Sequence, residues 1–338
     1  GAGGMTIRER QERDEEARLS PYAALSSRSA GRAHPISTCD LRTCYQRDRD
    51  RIIHCKSFRR LKYKTQVFLT PMGDHYRTRL THTLEVSQVA RTLARSLRLN
   101  EDLTEAAALG HDLGHTPFGH IGESTLNRLL PGGFRHNEQS LRVAERLEND
   151  GQGLNLCRET LDGILNHSGQ NEPKTLEGWC VRRADRIAYI NHDIDDAIRG
   201  GILKPFELPR RCLSVLGETH GERIDTMIRD IVTTSMDQPF VRMSEEVRQA
   251  SEELRAFLFE YVYHDEWRKK EEARCDYILS ALYEHYLAHP EQLPAEYLEI
   301  NFTEGAERAV CDFIACMTDR YAIDQFSEIF VPGAFGRR

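Results

Sequence analysis

Within ten residues the chain places three histidines and an aspartate: His111-Asp112-Leu113-Gly114-His115-Thr116-Pro117-Phe118-Gly119-His120. Leu103, Ala107 and His111 recur at helical spacing, so the His111 imidazole is aimed at a buried face. Asp112 follows about 100° round the same turn and can aim at the same point. His82 stands one turn before Val86 on a face continued by Val89, Leu93 and Leu97. A buried carboxylate needs a compensating cation. Inward imidazoles from two helices beside such a carboxylate supply the ingredients of a divalent-metal site. For either histidine alone, a core imidazole bonded to a backbone carbonyl accounts for the pattern equally well.

A further carboxylate comes from the segment Leu176–Ile198, which reads as one long helix. Its apolar stripe is Ile187, Ile190, Ile194 and Ile198, and Asp185, Tyr189 and Asp193 repeat almost opposite. An ordinary solvated helix face has the same pattern. With Asp185 as fourth ligand, two His and two Asp make a mixed nitrogen and oxygen set. Such a set suits Mn²⁺, Mg²⁺, Fe²⁺ or Co²⁺ better than a structural Zn²⁺.

The elements that must hold these residues are helical throughout, and the expected fold class is all-α. Asn100 caps a helix that Gly114 ends. A third helix runs from near Gly119 to Pro131-Gly132-Gly133, and a fourth begins at His136–Asn137. Residues 6–18 are highly charged and read as a loose helix or arm, followed by loop from Ser20 to Asp40. From Asp225 to Ser327 helices resume, with breaks at Pro239, Pro290 and Pro294. Short β-like pieces such as Gln66-Val67-Phe68-Leu69 are too few for a sheet. The division expected is an N-terminal arm over 5–44, a catalytic core over 45–200, and a C-terminal helical lobe over 201–338 packed on it. The opening Gly1-Ala2-Gly3-Gly4 ahead of Met5 reads as an appended leader and is set aside.

Composition narrows the function classes. Of the 338 residues 39% are hydrophobic and 29% charged, ordinary for a globular protein. No run is apolar enough to span a bilayer, and no signal-peptide core opens the chain, so a cytoplasmic protein without membrane partners is expected. The nine cysteines form no Cys-x-x-Cys pair and read as reduced thiols. A net charge of −7 gives no global pull toward nucleic acid, so a polyanionic substrate needs a local basic pocket.

His82, then His111-Asp112, then Asp185 resembles the H…HD…D signature of the HD superfamily of metal phosphohydrolases. Arg49-Asp50-Arg51-Ile52-Ile53-His54, the run from Phe58 to Phe68, Ala184-Asp185-Arg186-Ile187-Ala188-Tyr189 and Met317-Thr318-Asp319-Arg320-Tyr321-Ala322 look like the bacterial deoxyguanosine triphosphate triphosphohydrolase-like proteins. The motifs span about Ser20 to Ala322.

That resemblance implies an HD-domain helical fold and cleavage of deoxynucleoside triphosphates, dGTP or several, to deoxynucleoside and triphosphate. A divalent ion would polarise the α-phosphate and activate water, while the leaving O5′ receives a proton. His120 and Glu123 match the family's catalytic pair. His120 is expected as general acid, oriented and held protonated by Glu123; a helix-start histidine beside a first-turn glutamate is the plainer account. His115 and His136 match positions near the triphosphate, His136 being the rival acid. Alternatively, His136-Asn137-Glu138-Gln139 is only a helix start, with Asn137 as cap and Gln139 exposed. Arg79 and Arg186, with Lys62 a weaker candidate, match phosphate-binding cations; either arginine could instead neutralise the site's carboxylates. Tyr189 would stack on the deoxyribose, and Asp193 and Gln66 would bond its 3′-OH. Relatives form tetramers or hexamers, so a homo-oligomer is expected.

Two other functions remain open. One is a 5′-deoxynucleotidase or other HD phosphomonoesterase. The other is single-stranded DNA binding, suggested by the basic run Arg47–Lys64 with its interleaved Tyr45, Phe58 and Tyr63.

Overall fold

The computed structural model describes residues 3–65 and 77–333. Sixteen α-helices and no strand occur among the described residues. In chain order they are α1 (Ile7–Arg18), α2 (Cys44–His54), α3 (Lys56–Arg60), α4 (Arg79–Ser96), α5 (Glu101–Gly110), α6 (His120–Leu129), α7 (His136–Arg142) and α8 (Arg158–Leu165). Then follow α9 (Leu176–Arg199), α10 (Arg210–Leu216), α11 (His220–Ser235), α12 (Glu245–Tyr263), α13 (Glu266–Ala288), α14 (Ala295–Glu304), α15 (Ala306–Ala315) and α16 (Asp319–Phe330). The all-α expectation holds. Gln66 and the β-like piece it opens lie outside the described residues.

Polar side chains start the helices that matter most. Thr78 caps α4 by accepting from Thr81 N, Asn100 caps α5 through Leu103 N, and Thr175 caps α9 through Gly178 N. The apolar faces behind those caps build one core from Val86, Val89 and Leu93 of α4, Ala107 of α5 and Ile187 and Ile194 of α9. Leu213 of α10, Ile231 of α11 and Leu254 of α12 join the same core. A second core packs Leu126 of α6 against Leu279 of α13, Ile300 of α14 and Phe313 of α15. A third holds Ile52 of α2, Leu109 of α5, Val143 and Ile164 of α8. The histidine-rich loop 111–120 lies where these cores meet, because Leu113 belongs to the third and Phe118 to the second.

No helix among the described residues is long and apolar enough to cross a membrane. All nine cysteines are free thiols, six of them buried.

Candidate metal centre and active site

Helices α4 and α9 pack side by side and bring His82 and Asp185 together, with His82 Nε2 3.0 Å from Asp185 Oδ1. His111 and Asp112 arrive from the end of α5, which stops at Gly110, four residues earlier than the sequence suggests. The reason lies in α7. Ser140 Oγ donates to His111 O at 2.8 Å and accepts from Gly114 N at 2.9 Å, drawing the turn off the helix axis. Gly114 is required by this close approach, since a Cβ there would lie 2.2 Å from Ser140 N. His111 Nε2 thereby comes 3.5 Å from Asp112 Oδ2 and 3.4 Å from Asp185 Oδ1.

Hydrogen bonds on the far side of each ring decide which nitrogen faces the centre. His111 Nδ1 donates to Ala108 O at 2.5 Å, leaving Nε2 as a lone pair that is buried and has no hydrogen-bond partner. His82 Nδ1 lies 3.3 Å from His192 Nδ1, and His192 Nε2 meets the Glu85 carboxylate. With His192 donating to Glu85, its Nδ1 accepts from His82, and the His82 lone pair is again on Nε2. Two lone-pair nitrogens and two carboxylates thus converge. Burial alone would raise Asp112 and Asp185, yet the adjacent imidazoles and, for Asp112, the Arg79 guanidinium hold both well below the usual carboxylate range. Burial would lower His111, and the two carboxylates push it up to about 9, so the site favours a cation on Nε2, a proton in the free protein or a metal ion in its place. Spacings of 3.0–3.5 Å match the roughly 3.0 Å edge of an octahedron with bonds of about 2.1 Å. The unpaired His111 Nε2 among anionic oxygens fits a divalent cation.

Beyond the centre lies a cavity of about 540 Å³, lined by His120, His136, His167, Asp185, Arg182, Arg186, Tyr189, Asp193, Arg255, Phe259 and Arg268. Four arginines face one space there. Arg186 and Arg255 have no ion pair among the described residues, and Arg268 pairs with Glu272 at 2.9 Å. Arg79 does not reach this wall. It is wholly buried, donating to the Tyr189 hydroxyl at 2.8 Å and lying 3.3 Å from Asp112 Oδ2, where it neutralises the carboxylate. Burial raises Asp193 to about 7, with Asp196 adding to the effect. Lys62 stands over the Tyr63 ring, away from the cavity.

The turn leading to His120 is unusual. Phe118 and Gly119 both take positive φ, 61° and 59°, a pairing that ordinary residues avoid. Asp319 holds it, accepting from Phe118 N at 2.9 Å and from Thr65 N and Oγ1 at 3.0 and 2.8 Å. His120 emerges from this turn with its ring open to the cavity and 5.4 Å from the Tyr189 ring. Crowding on its other sides and the Arg79 charge push its pKa down, against Glu123.

The expectation that Glu123 orients His120 needs correction. The Glu123 carboxylate instead accepts from His136 N and from His136 Nδ1, the latter at 2.9 Å. The α6–α7 connection brings both His136 N and His136 Nδ1 within bonding distance of Glu123, so the i,i+3 spacing of His120 and Glu123 did not decide the partner. Burial would lower His136, but Glu123 holds it up, and the carboxyl falls to about 2. His136–Gln139 is also more than a helix start. Arg135 is the cap position, Asn137 Nδ2 donates to Leu165 O, and buried Gln139 donates to Asp312 Oδ1.

Sequence reasoning missed His167, His192, Glu85, Arg182, Arg255 and Arg268. Arg182 sits one turn before Arg186 on α9, a spacing that could have revealed it. His167 follows α8 in irregular chain, where periodicity carries no signal. In the basic run, Arg47 donates to Ser37 O, Arg51 to Leu154 O, and Arg49 pairs with Asp50 and Glu105. Lys64 is buried against His115 O and Ala315 O. These cations serve intrachain contacts.

Residues 79–190 match the HD domain and residues 241–328 the phosphohydrolase-associated domain. The chain is 59% identical over 328 residues to the deoxyguanosinetriphosphate triphosphohydrolase-like protein of Caldanaerobacter subterraneus, covering 97% of each chain. It is 51% identical to the protein of that name from Clostridium perfringens strain 13, covering 97% of this chain and 98% of the other. For Geobacter sulfurreducens the identity is 42%, covering 94% and 96%. A phosphohydrolase structure from Bacteroides thetaiotaomicron, 19% identical, has a TM-score of 0.53 over 84% of this chain and 68% of that one, a likeness of fold.

Proposed function

Because the chain belongs to the deoxyguanosinetriphosphate triphosphohydrolase-like family of HD-domain proteins, we propose that it hydrolyses deoxynucleoside triphosphates to deoxynucleoside and triphosphate. The observation that carries this reading is the convergence of His82, His111, Asp112 and Asp185 beside a cavity walled by Arg182, Arg186, Arg255 and Arg268. A divalent ion held by the four ligands, Mn²⁺, Mg²⁺, Fe²⁺ or Co²⁺, would supply Lewis-acid charge at the α-phosphate and an activated water.

The protein's own groups do the rest. Four arginines suit the charge of a triphosphate tail better than that of a monophosphate. Tyr189, braced by Arg79, packs against the deoxyribose and leaves no room for a 2′-OH, so deoxynucleotides are selected by exclusion. Asp193 bonds the 3′-OH. His120 is the proton donor to O5′, because its ring opens to the cavity while both nitrogens of His136 are engaged by Glu123 and His167. Burial, and after it the Arg79 charge, lower His120 in the free protein, and the triphosphate's negative charge counters both by favouring the imidazolium.

Incubation of the purified protein with each dNTP and Mn²⁺, followed by anion-exchange chromatography, tests the reading. Deoxynucleoside and tripolyphosphate are the expected products. Orthophosphate released from deoxynucleoside monophosphates, with dNTPs untouched, would establish the phosphomonoesterase instead.

A further inference from the structure

Three of the nine cysteines, Cys39, Cys44 and Cys157, line one cavity of about 420 Å³ that shares no residue with the arginine-walled one. Cys44 opens α2 and Cys157 precedes α8. They are far apart in the chain and meet around Arg32. The Arg32 backbone forms an antiparallel bridge with Cys157, its guanidinium donates to Cys44 O at 3.0 Å, and an ion pair with buried Asp48 fixes it. Asp48 in turn accepts from Cys157 N at 3.0 Å. Both cysteine side chains pack with Tyr45 and Leu103 in one small core. There the Cys157 thiol is bonded to the Cys44 sulfur, and Cys44 Sγ donates to Ser26 O at 3.5 Å. That contact, and after it burial, pushes the Cys157 thiol above its ordinary range. Cys157 is 1% exposed, whereas Cys44 is half-buried and reachable from the cavity. A small hydrophobe would fill this core as well as a thiol. Two thiols held in contact have the geometry for thiol–disulfide exchange.

We propose that Cys44 and Cys157 form a reversible dithiol site, oxidised to a disulfide by a low-molecular-weight disulfide that enters this cavity. The Cys44 thiolate, its proton lost to solvent, attacks one sulfur of the oxidant RSSR. A Cys44–SR bond forms and RS⁻ leaves. Cys157, deprotonated in its turn, displaces the second RS⁻ as the Cys44–Cys157 bond forms. Two protein thiols are oxidised, one RSSR is reduced to two RSH, and the two released protons end on the two RS⁻. Scarcity of the Cys157 thiolate makes the second step the slow one, so the mixed disulfide at Cys44 is the intermediate that accumulates. Cys39 is the competing thiol. Its Sγ accepts from Arg42 N and Leu41 N, both at 3.4 Å, and these amides lower its pKa. Its bonds are to amides and not to a sulfur, so it goes no further than a mixed disulfide. The Cys44–Cys157 bond closes a ring over α2 to α7, the stretch that carries His82, His111, Asp112 and His120, and so restricts the unfolded chain.

The test is a map of the linkages in the native protein. Reduced, desalted protein is incubated with oxidised glutathione, free thiols are trapped with iodoacetamide, and tryptic peptides are identified by mass spectrometry. Cleavage at Arg42, Arg47 and Arg158 leaves Cys39, Cys44 and Cys157 in separate peptides. A Cys44–Cys157 link reversed by dithiothreitol is expected, with Tm raised by about 3–6 °C in the oxidised form. Cys157→Ala should stop at glutathione on Cys44 and show no rise in Tm. Cys44→Ala should leave Cys157 unmodified. Glutathione on Cys39 alone, a link from Cys39 to Cys44, or Cys44 and Cys157 both still free under oxidised glutathione would each overturn the site. The native map decides the matter even where a variant fails to fold.

Discussion

A lone-pair nitrogen buried among carboxylate oxygens has no partner in an all-protein environment, and His111 Nε2 is such an atom. Residues near it divide into those that hold charge at the centre and those that reach the cavity. His120 is of the second kind. His120→Ala should lower kcat by about 10²–10⁴-fold, the range for a lost general acid, with bound metal unchanged because His120 is no ligand. A 4-nitrophenyl ester of the α-phosphate has a leaving group that needs no proton. On that substrate His120→Ala should recover most of its rate, and a variant equally slow on both substrates would make His120 a binding residue. Glu123→Gln has a different expected signature, since Glu123 bonds His136 and not His120, and its loss of rate should be the same on both substrates.

Elements place these residues by contacts far apart in sequence. Asp319, at the start of α16, clamps the Phe118–Gly119 turn to Thr65, which explains why a C-terminal motif accompanies the HD residues. Glu177, in the first turn of α9, accepts from Ala24 N and Asn100 N, both at 2.9 Å, and so ties the N-terminal segment to the cap of α5. Burial outweighs those two amides and pushes the Glu177 carboxyl up from 4.5 to about 7. A folded pKa above the unfolded one means stability that is complete below the unfolded value and is lost as pH rises through the folded one. The Tm of the native protein should therefore fall relative to that of Glu177→Gln between about pH 5 and pH 8. Parallel Tm profiles for the two proteins would show that Glu177 keeps an ordinary pKa.

At the scale of the molecule, the site is the seam between cores. The α4, α5 and α9 core supplies His82 and Asp185, and the α6 and α13–α16 core sets the loop that carries His120. An ion held at this seam binds the folded chain alone, so its removal should be felt globally. At Mn²⁺ about 100-fold above Kd the gain is about 2.7 kcal/mol, or roughly 4 °C in Tm for a chain of this size. Differential scanning fluorimetry with and without chelator measures it. A Tm indifferent to metal in the native protein and in Asp185→Asn alike would argue against a site formed from these ligands.

Much of this was legible in the chain. Helix α5 announces itself through its Asn100 cap, and α4, α5 and α9 through apolar spacing, since both signals are local: a cap satisfies amides two or three residues away, and a stripe repeats every turn. His82, His111, Asp112 and Asp185 could be singled out because burial of a charged or polar side chain on such a stripe demands a partner. Partner choice was not local. Glu123 sits one turn from His120 yet bonds His136 across the α6–α7 connection. His192 and Glu85 set the His82 tautomer from two helices, and Arg255 and Arg268 reach the cavity from α12 and α13. The sequence by itself determined which polar residues fall on buried helix faces and which helices carry them. Only the tertiary structure decided which side chains met, because hydrogen bonds and ion pairs act over about 3–4 Å, and packing alone brings distant segments that close.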